Sequence, residues 1–101
     1  MNPEIIKRIV ALYAPETIIR YGAREKKTKE FTRKIELMIL IQGVREVRPI
    51  VNRLYKELAE FNEEITLFVD DPKIYHINKK MRIYHYYEIH KTGVVVYERT
   101  P

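Results

Sequence analysis

The sequence predicts an α+β domain in which a small mixed β-sheet is covered by helices. Short apolar runs rich in Ile, bounded by Gly residues and charge clusters, are typical of buried strands. Longer segments with apolar residues three or four positions apart are typical of amphipathic helices. The two patterns alternate along the chain without an internal repeat, so we expect one domain over residues 1–101.

The predicted elements follow one another without a linker. They are helix 3–13, strand 17–21, a short helical turn and loop over 23–33, strand 35–41, a helix from 46–48 to 62, strand 65–69, helix 73–91 and a final strand or extended tail over 94–97. Asn2 and Asp71 are N-cap candidates, because a proline follows each of them at the first helical position.

The last predicted helix carries most of the aromatic and histidine residues. Its spacing predicts an inward-facing set, namely Ile74, Ile77, Met81, Tyr84 and Ile89. Its histidines, His76, His85 and His90, contain no pair four residues apart, which argues against a helical zinc site. Tyr86 and Tyr87 are candidates for stacking on nucleic-acid bases or for anchoring a protein interface. The interface is favoured because basic residues do not alternate with these tyrosines at regular spacing.

Composition indicates a folded protein without disulfides. The chain has 46% hydrophobic and 33% charged residues and no cysteine, which excludes disulfides and thiolate metal sites. No apolar run approaches the ~18 residues that span a bilayer, and no signal-peptide core is present, so we expect no membrane association and a cytoplasmic location. The absence of Cys and Trp and the abundance of Ile, Lys, Glu and Arg favour a thermophilic source.

The excess positive charge is concentrated in one segment. Residues 20–34 contain seven cations and two carboxylates, a net charge of +5, whereas the rest of the chain carries twelve of each sign. The cations are Arg20, Arg24, Lys26, Lys27, Lys29, Arg33 and Lys34. A focused positive field favours anionic partners such as nucleotide phosphates, nucleic acid or an acidic protein face. A solvated charged loop is the alternative interpretation.

The strand ends that border this segment carry the candidate site. Gly22 and Ala23 follow the first strand, where open α/β sheets place a ligand. Glu36 lies inside the second strand, where a carboxylate is costly unless it faces a cleft. Lys34 and Glu36 are two residues apart, so we expect them to share a strand face and to form an ion pair at the cleft floor beside Gly22.

These residues resemble the minimal nucleotidyltransferases, small members of the DNA polymerase β-like superfamily, over about the whole chain. Residues 14–24, APETIIRYGAR, resemble the lead-in, strand and Gly-Ser-Arg turn of that family. Glu36 falls on the second catalytic Asp position, and residues 65–69 resemble the strand that carries the third carboxylate. Asp71-Pro72 and residues 93–99 are similar to the family's helix start and its usual ending. The resemblance implies the nucleotidyltransferase fold.

The resemblance also implies that the metal site is degenerate. Active relatives hold two Mg²⁺ ions with three carboxylates for in-line phosphoryl transfer. In this chain the three positions are Lys34, Glu36 and Thr66, while Ala23 replaces the turn Ser and Lys27 replaces a loop Gly. Glu36 is then the only retained catalytic carboxylate, and we expect no metal site and no cofactor.

The expected function is therefore a non-catalytic binding role. The resemblance implies a homo-oligomer or an antitoxin-like complex with a HEPN-domain partner, as in toxin–antitoxin systems. Phosphate-contacting residues would be Gly22, Ala23, Arg24 and Lys34, with an anion patch at Arg20, Lys26, Lys27, Lys29 and Arg33.

Two alternatives stay open. The first is an atypical nucleotidyltransferase that uses Glu36 and Lys34 and requires Mg²⁺ and a nucleoside triphosphate. The second is a protein that binds nucleic-acid phosphates through residues 20–34 without sequence specificity.

Overall fold

One mixed sheet organises the part of the chain that the computed structural model describes, residues 1–22, 31 and 33–100. The strands are β1 (Thr17–Tyr21), β2 (Ile35–Leu40), β3 (Ile65–Asp70) and β4 (Val94–Glu98), and their order across the sheet is β3-β2-β1-β4. β1 pairs antiparallel with β2 and β4, whereas β2 and β3 are parallel. The predicted α+β class with a small mixed sheet is confirmed.

Four helices within the described residues cover the sheet. They are α1 (Pro3–Tyr13), α2 (Arg48–Leu58), which a 3₁₀ turn extends to Phe61, α3 (Pro72–Lys80) and α4 (Tyr84–Thr92). Both predicted N-caps are confirmed, since Asn2 Oδ1 accepts from the Glu4 N–H at 2.9 Å and Asp71 Oδ1 accepts from the Lys73 N–H at 2.7 Å. No helix within the described ranges is both long enough and apolar enough to cross a bilayer.

Asp71 also fixes the start of α3 against the turn that follows β2. Its Oδ2 accepts from the Gly43 N–H at 2.7 Å, while its Oδ1 caps the helix. The hydrogen bonds from the Lys73 and Gly43 amides lower the pKa of this carboxyl. One side chain therefore holds the end of β2 and the beginning of α3 together.

The sheet separates two apolar cores. On one face α1 and α2 pack Ile5, Ile9 and Leu54 against strand residues such as Leu37. On the other face α3 and α4 contribute Tyr75 and Ile89 to a smaller core, which contains the strand residues Ile19, Met38 and Leu40. β2 is thus apolar on both faces, as its near-continuous run of hydrophobic residues requires.

The single helix predicted over 73–91 is wrong, because the chain turns at residues 81–83. Arg82 adopts φ +56°, and its N–H donates to the Lys79 carbonyl at 3.2 Å. The Ile83 N–H donates to the Asn78 carbonyl at 3.0 Å. This pair of hydrogen bonds is a Schellman motif, which satisfies the last carbonyls of α3. The motif carries Arg at the left-handed position where Gly is usual, so the sequence pattern did not reveal it.

The predicted inward-facing set is also largely wrong. Ile89 is buried, but Ile74, Ile77, Met81 and Tyr84 are exposed. α3 instead buries Pro72 and Tyr75, and the turn at 81–83 changes the helical phase before α4 begins. The helical turn and loop predicted over 23–33 lie outside the described residues, apart from Phe31 and Arg33.

A pair of arginine substitutions tests the turn. Arg82→Gly should change the free energy of unfolding by no more than about 0.5 kcal/mol, because Gly adopts positive φ without strain and this offsets the lost side-chain contact. Arg53→Gly should destabilise by about 1 kcal/mol, because it places Gly inside α2. Each guanidinium lies over a tyrosine ring, at 5.9 Å for Arg82 and 5.7 Å for Arg53, so the two variants lose similar contacts. Urea unfolding measures both, and equal losses would contradict the Schellman assignment.

Candidate functional site

Glu36 lies at the start of β2, between residues of both neighbouring strands. Its register partners are Tyr21 in β1 and Thr66 in β3, and all three side chains are half-buried. Residues directly opposite each other in a sheet project from the same face. This face also carries Met38 and is the one that α3 and α4 cover. A carboxylate, a phenol and a hydroxyl therefore share one end of the sheet.

Gly22 completes this end of the sheet. It has φ +83°, and a Cβ at this position would overlap Oε2 of Glu36. Its N–H donates to Oγ1 of Thr92, in the last turn of α4, at 3.3 Å. The Glu36 carboxylate lies directly against the Gly22 backbone, so a side chain at residue 22 would have to displace it.

The ion pair expected between Lys34 and Glu36 is wrong. β2 begins at Ile35, and Lys34 lies in an exposed bend before it. Within the described residues, no ion pair with an N–O distance of 4.0 Å or less joins Lys34 to Glu36. The alternation that would place both side chains on one face does not reach back to Lys34, because it holds only inside a strand.

Tyr21 is held in its neutral form. Burial, followed by the charge of the Glu36 carboxylate, raises the pKa of the Tyr21 phenol to about 12. At neutral pH the phenol is therefore a hydrogen-bond donor beside the carboxylate and carries no charge.

An aromatic cluster covers the sheet next to these residues. The His85 ring meets the Phe68 ring edge-on at 4.6 Å between centroids and the Tyr21 ring at 6.2 Å. Tyr86 packs on Phe68 at 5.7 Å, and its hydroxyl donates to Asp70 Oδ2 at 2.5 Å. α4 therefore packs over Phe68, and the Tyr86–Asp70 hydrogen bond holds it at the carboxyl end of β3.

Sequence reasoning missed this cluster. It treated the tyrosines of the last helix separately from Phe68, because the helix break that aims His85 and Tyr86 at the sheet was not visible. The prediction of Tyr84 as a core residue is wrong, since its side chain is exposed. The alternation of β3 was the available signal, because it places Thr66, Phe68 and Asp70 on one face.

Of the predicted basic residues that the structure describes, Arg20 projects away from Gly22. Arg20 pairs with Leu37, which lies in the core under α1 and α2, so Arg20 projects from the face opposite Glu36. Arg20 and Arg33 line a cavity of about 570 Å³, together with Met1, Phe31, Ile35 and Glu63. The predicted residues Ala23, Arg24, Lys26, Lys27 and Lys29 lie outside the described part of the chain.

The Arg20 side chain packs on an aromatic ring in this cavity. Its guanidinium carbon lies 4.3 Å from the centroid of the Phe31 ring. Burial lowers the pKa of Arg20, and the charge of Glu63 opposes that shift. This geometry gives Arg20 a packing role on the α1 and α2 face of the sheet.

The described groups around Glu36 offer one carboxylate, a phenol and a hydroxyl. Mg²⁺ requires a near-octahedral set of oxygen ligands, of which Glu36 offers one carboxylate and Thr66 a hydroxyl. Across the described ranges, no group of three or more His, Asp or Glu side chains is arranged to hold a metal ion. The neutral Tyr21 phenol and the Thr66 hydroxyl can exchange hydrogen bonds with a ligand beside the carboxylate.

Comparison with known proteins gives no match. No family model, no curated protein and no solved structure matches this chain.

The Glu36–Tyr21 contact predicts a shift in a titration. Glu36→Gln removes the charge at nearly unchanged size, so the pKa of Tyr21 should fall below about 12 but stay above 10.0, because burial is the larger cause. The raised pKa means that the wild-type protein loses stability as pH rises from about 10 towards 12, and the variant should lose less. NMR titration of tyrosine labelled at ¹³Cζ, assigned with Tyr21→Phe, measures the shift.

Glu63→Gln is the matched control for this titration. Glu63 lies in the cavity with Arg20, on the opposite face of the sheet, so its charge should leave the Tyr21 pKa unchanged. An unchanged Tyr21 pKa in Glu36→Gln, or equal shifts in both variants, would contradict the contact.

Proposed function

We propose that this chain is a nucleotidyltransferase-fold protein with a degenerate metal site, and that it acts by binding a protein partner in an antitoxin-like role. The observation that carries the proposal is the register of β2 and β3, which pairs Glu36 with Thr66 beside Gly22. Two-metal phosphoryl transfer needs a carboxylate where Thr66 stands. The pattern of a Gly turn after β1 and a proline-started helix after β3 supports the fold.

The position of Lys34 weighs against the enzymatic alternative. An atypical transferase would need Lys34 and Glu36 to act on one nucleotide, but Lys34 lies in an exposed bend outside β2. The nearest register partners of Glu36 are an uncharged phenol and a hydroxyl. These groups support hydrogen bonding to a ligand and supply no second metal-ligating carboxylate.

The partner in this proposal is a HEPN-domain protein, as the family resemblance implies. Binding is the activity that remains when the metal ligands are replaced and the fold is kept. Arg20 and Arg33 lie together with Glu63, so these two cations of the 20–34 segment give no specific support to nucleic-acid binding.

Titration of the wild-type protein tests the degenerate site. Isothermal titration with Mg²⁺ or Mn²⁺ and a non-hydrolysable nucleoside triphosphate should show no metal-dependent nucleotide binding, because one carboxylate cannot hold two ions. Binding of two metal ions per chain together with the nucleotide would refute the proposal.

A carboxylate at residue 66, the third catalytic position, tests whether the β2–β3 register can support a metal site. Because adjacent strands lie about 4.8 Å apart, Thr66→Asp should bring a second carboxylate within reach of a cation held by Glu36. We expect Mg²⁺ to raise the Tm of Thr66→Asp by several degrees, since a bound ion also relieves the repulsion between the two carboxylates. Thermal unfolding with and without Mg²⁺ measures this.

Two variants control for the new side chain. Thr66→Asn has the same size without the charge, and Lys34→Asp adds a carboxylate outside β2, so neither should respond to Mg²⁺. A response of Lys34→Asp as large as that of Thr66→Asp would show that the register is not what limits metal binding. A folded Thr66→Asp variant without any response would remove the support that the register gives to the proposed fold.

A further inference from the structure

A set of exposed apolar residues runs along α3 and into the turn before α4. We name it the α3 stripe, and it comprises Ile74, Ile77, Met81, Ile83 and Tyr84. The exposed fractions are 55% for Ile77, 67% for Met81 and 79% for Tyr84. Ile74, Ile77 and Met81 are spaced three and four residues apart, so they lie on one face of the helix. Contiguous exposed apolar surface of this kind marks a contact site.

The α3 stripe is separate from the side of α3 that packs on the sheet. That inner side is formed by Pro72 and Tyr75, which are buried. The Schellman motif at residues 81–83 ends α3, and the exposed residues Ile83 and Tyr84 follow at the start of α4. The geometry thus gives the helix one apolar side for the core and a second one for solvent.

The segment that carries the α3 stripe is positively charged. Residues 72–92 carry five basic side chains, at Lys73, Lys79, Lys80, Arg82 and Lys91, and one acidic side chain, at Glu88, a net charge of +4 with His neutral. Lys73 and Lys80 are exposed and lie four residues before and three residues after Ile77, so both lie along one edge of the stripe. An occupant of the stripe therefore gains from carrying negative charge at its edges.

We propose that the α3 stripe binds an amphipathic helix of a partner protein whose apolar seam is flanked by Asp and Glu. This proposal rests on the proposed function, because it assigns the surface and the chemistry of the partner. The spacing of three and four residues matches the seam with which one helix packs on another. Tyr84 supplies the large aromatic side chain that often anchors such an interface.

A second copy of the chain fits this surface less well. A two-fold contact would bring the same patch from both copies together and so oppose two charges of +4. Residues 35–71 hold eight carboxylates and four cations, a net charge of −4, and could attract the stripe of another copy. Glu57 and Glu60 of that region already contact Arg8 of their own chain, at 3.8 Å and 2.5 Å.

The test uses a synthetic helical peptide as the probe. It carries Leu at alternating spacings of three and four and Glu at the flanking positions, and a second peptide carries Lys in place of Glu. Fluorescence anisotropy with the full chain should show binding of the Glu peptide at least tenfold tighter than binding of the Lys peptide. Ile77→Ser combined with Met81→Ser should weaken Glu-peptide binding by tenfold or more.

Two further variants separate the apolar and electrostatic parts. Val95→Ser removes an apolar side chain that is 54% exposed on β4, outside the stripe, and should leave the affinity within about twofold of wild type. Lys73→Glu combined with Lys80→Glu should reverse the preference, so that the Lys peptide binds more tightly. Circular dichroism confirms that each variant is folded, which is expected because every substituted residue is exposed.

Each contrary outcome overturns the proposal. No binding of the Glu peptide, or binding that the stripe variant does not weaken, shows that the surface does not receive an acidic helix. Binding to vesicles of phosphatidylcholine and phosphatidylserine without peptide binding assigns the stripe to an anionic membrane. Sedimentation showing a dimer that Ile77→Ser with Met81→Ser disrupts assigns it to a second copy. The nucleotide titration fails or succeeds independently, since it reports on Glu36 and not on the stripe.

Discussion

Burial of β2 on both of its faces is the constraint on which the remaining structure depends. The strand lies between β1 and β3, and every residue in it except Glu36 is buried. Because side chains alternate, a register slip of one residue would move Glu36 into the core beneath α1 and α2. The pairing is therefore fixed by the apolar residues of β2. It is this pairing that sets Tyr21 and Thr66 beside Glu36 and leaves α3 and α4 to cover that face.

The same sheet separates residues that the sequence analysis placed near one another in the candidate site. Glu36 and Gly22 meet on one side, whereas Arg20 projects from the other and stacks on Phe31. Within the described residues, the groups on the Gly22 side include the Glu36 carboxylate, the Tyr21 phenol and the Thr66 hydroxyl, and Arg20 lies on the other face.

Local patterns predicted most of the fold, since the strands, both proline-started helix caps and the amphipathic helices α1 and α2 depend on nearby residues. The break between α3 and α4 was not predictable, because Arg82 takes a backbone conformation that Gly usually signals. Periodicity also shows which residues share a helix face but not whether that face is covered, and so Ile77 and Met81 were assigned to the core. At the site, the predicted Lys34–Glu36 ion pair was wrong because Lys34 falls just before β2 begins, where the side-chain alternation of a strand does not apply.

The contact between Gly22 and Glu36 bears on how glycine turns are used to recognise related sequences. Gly22 is required here by its positive φ and by the carboxylate that fills the space of a Cβ. Neither requirement involves a metal ion, a nucleotide or a third carboxylate. A turn of this kind would be needed equally in a chain that transfers nucleotides and in one that does not. The glycine is thus diagnostic of backbone shape. A motif search anchored on it would select chains that have this turn, whatever residue faces position 36 from β3.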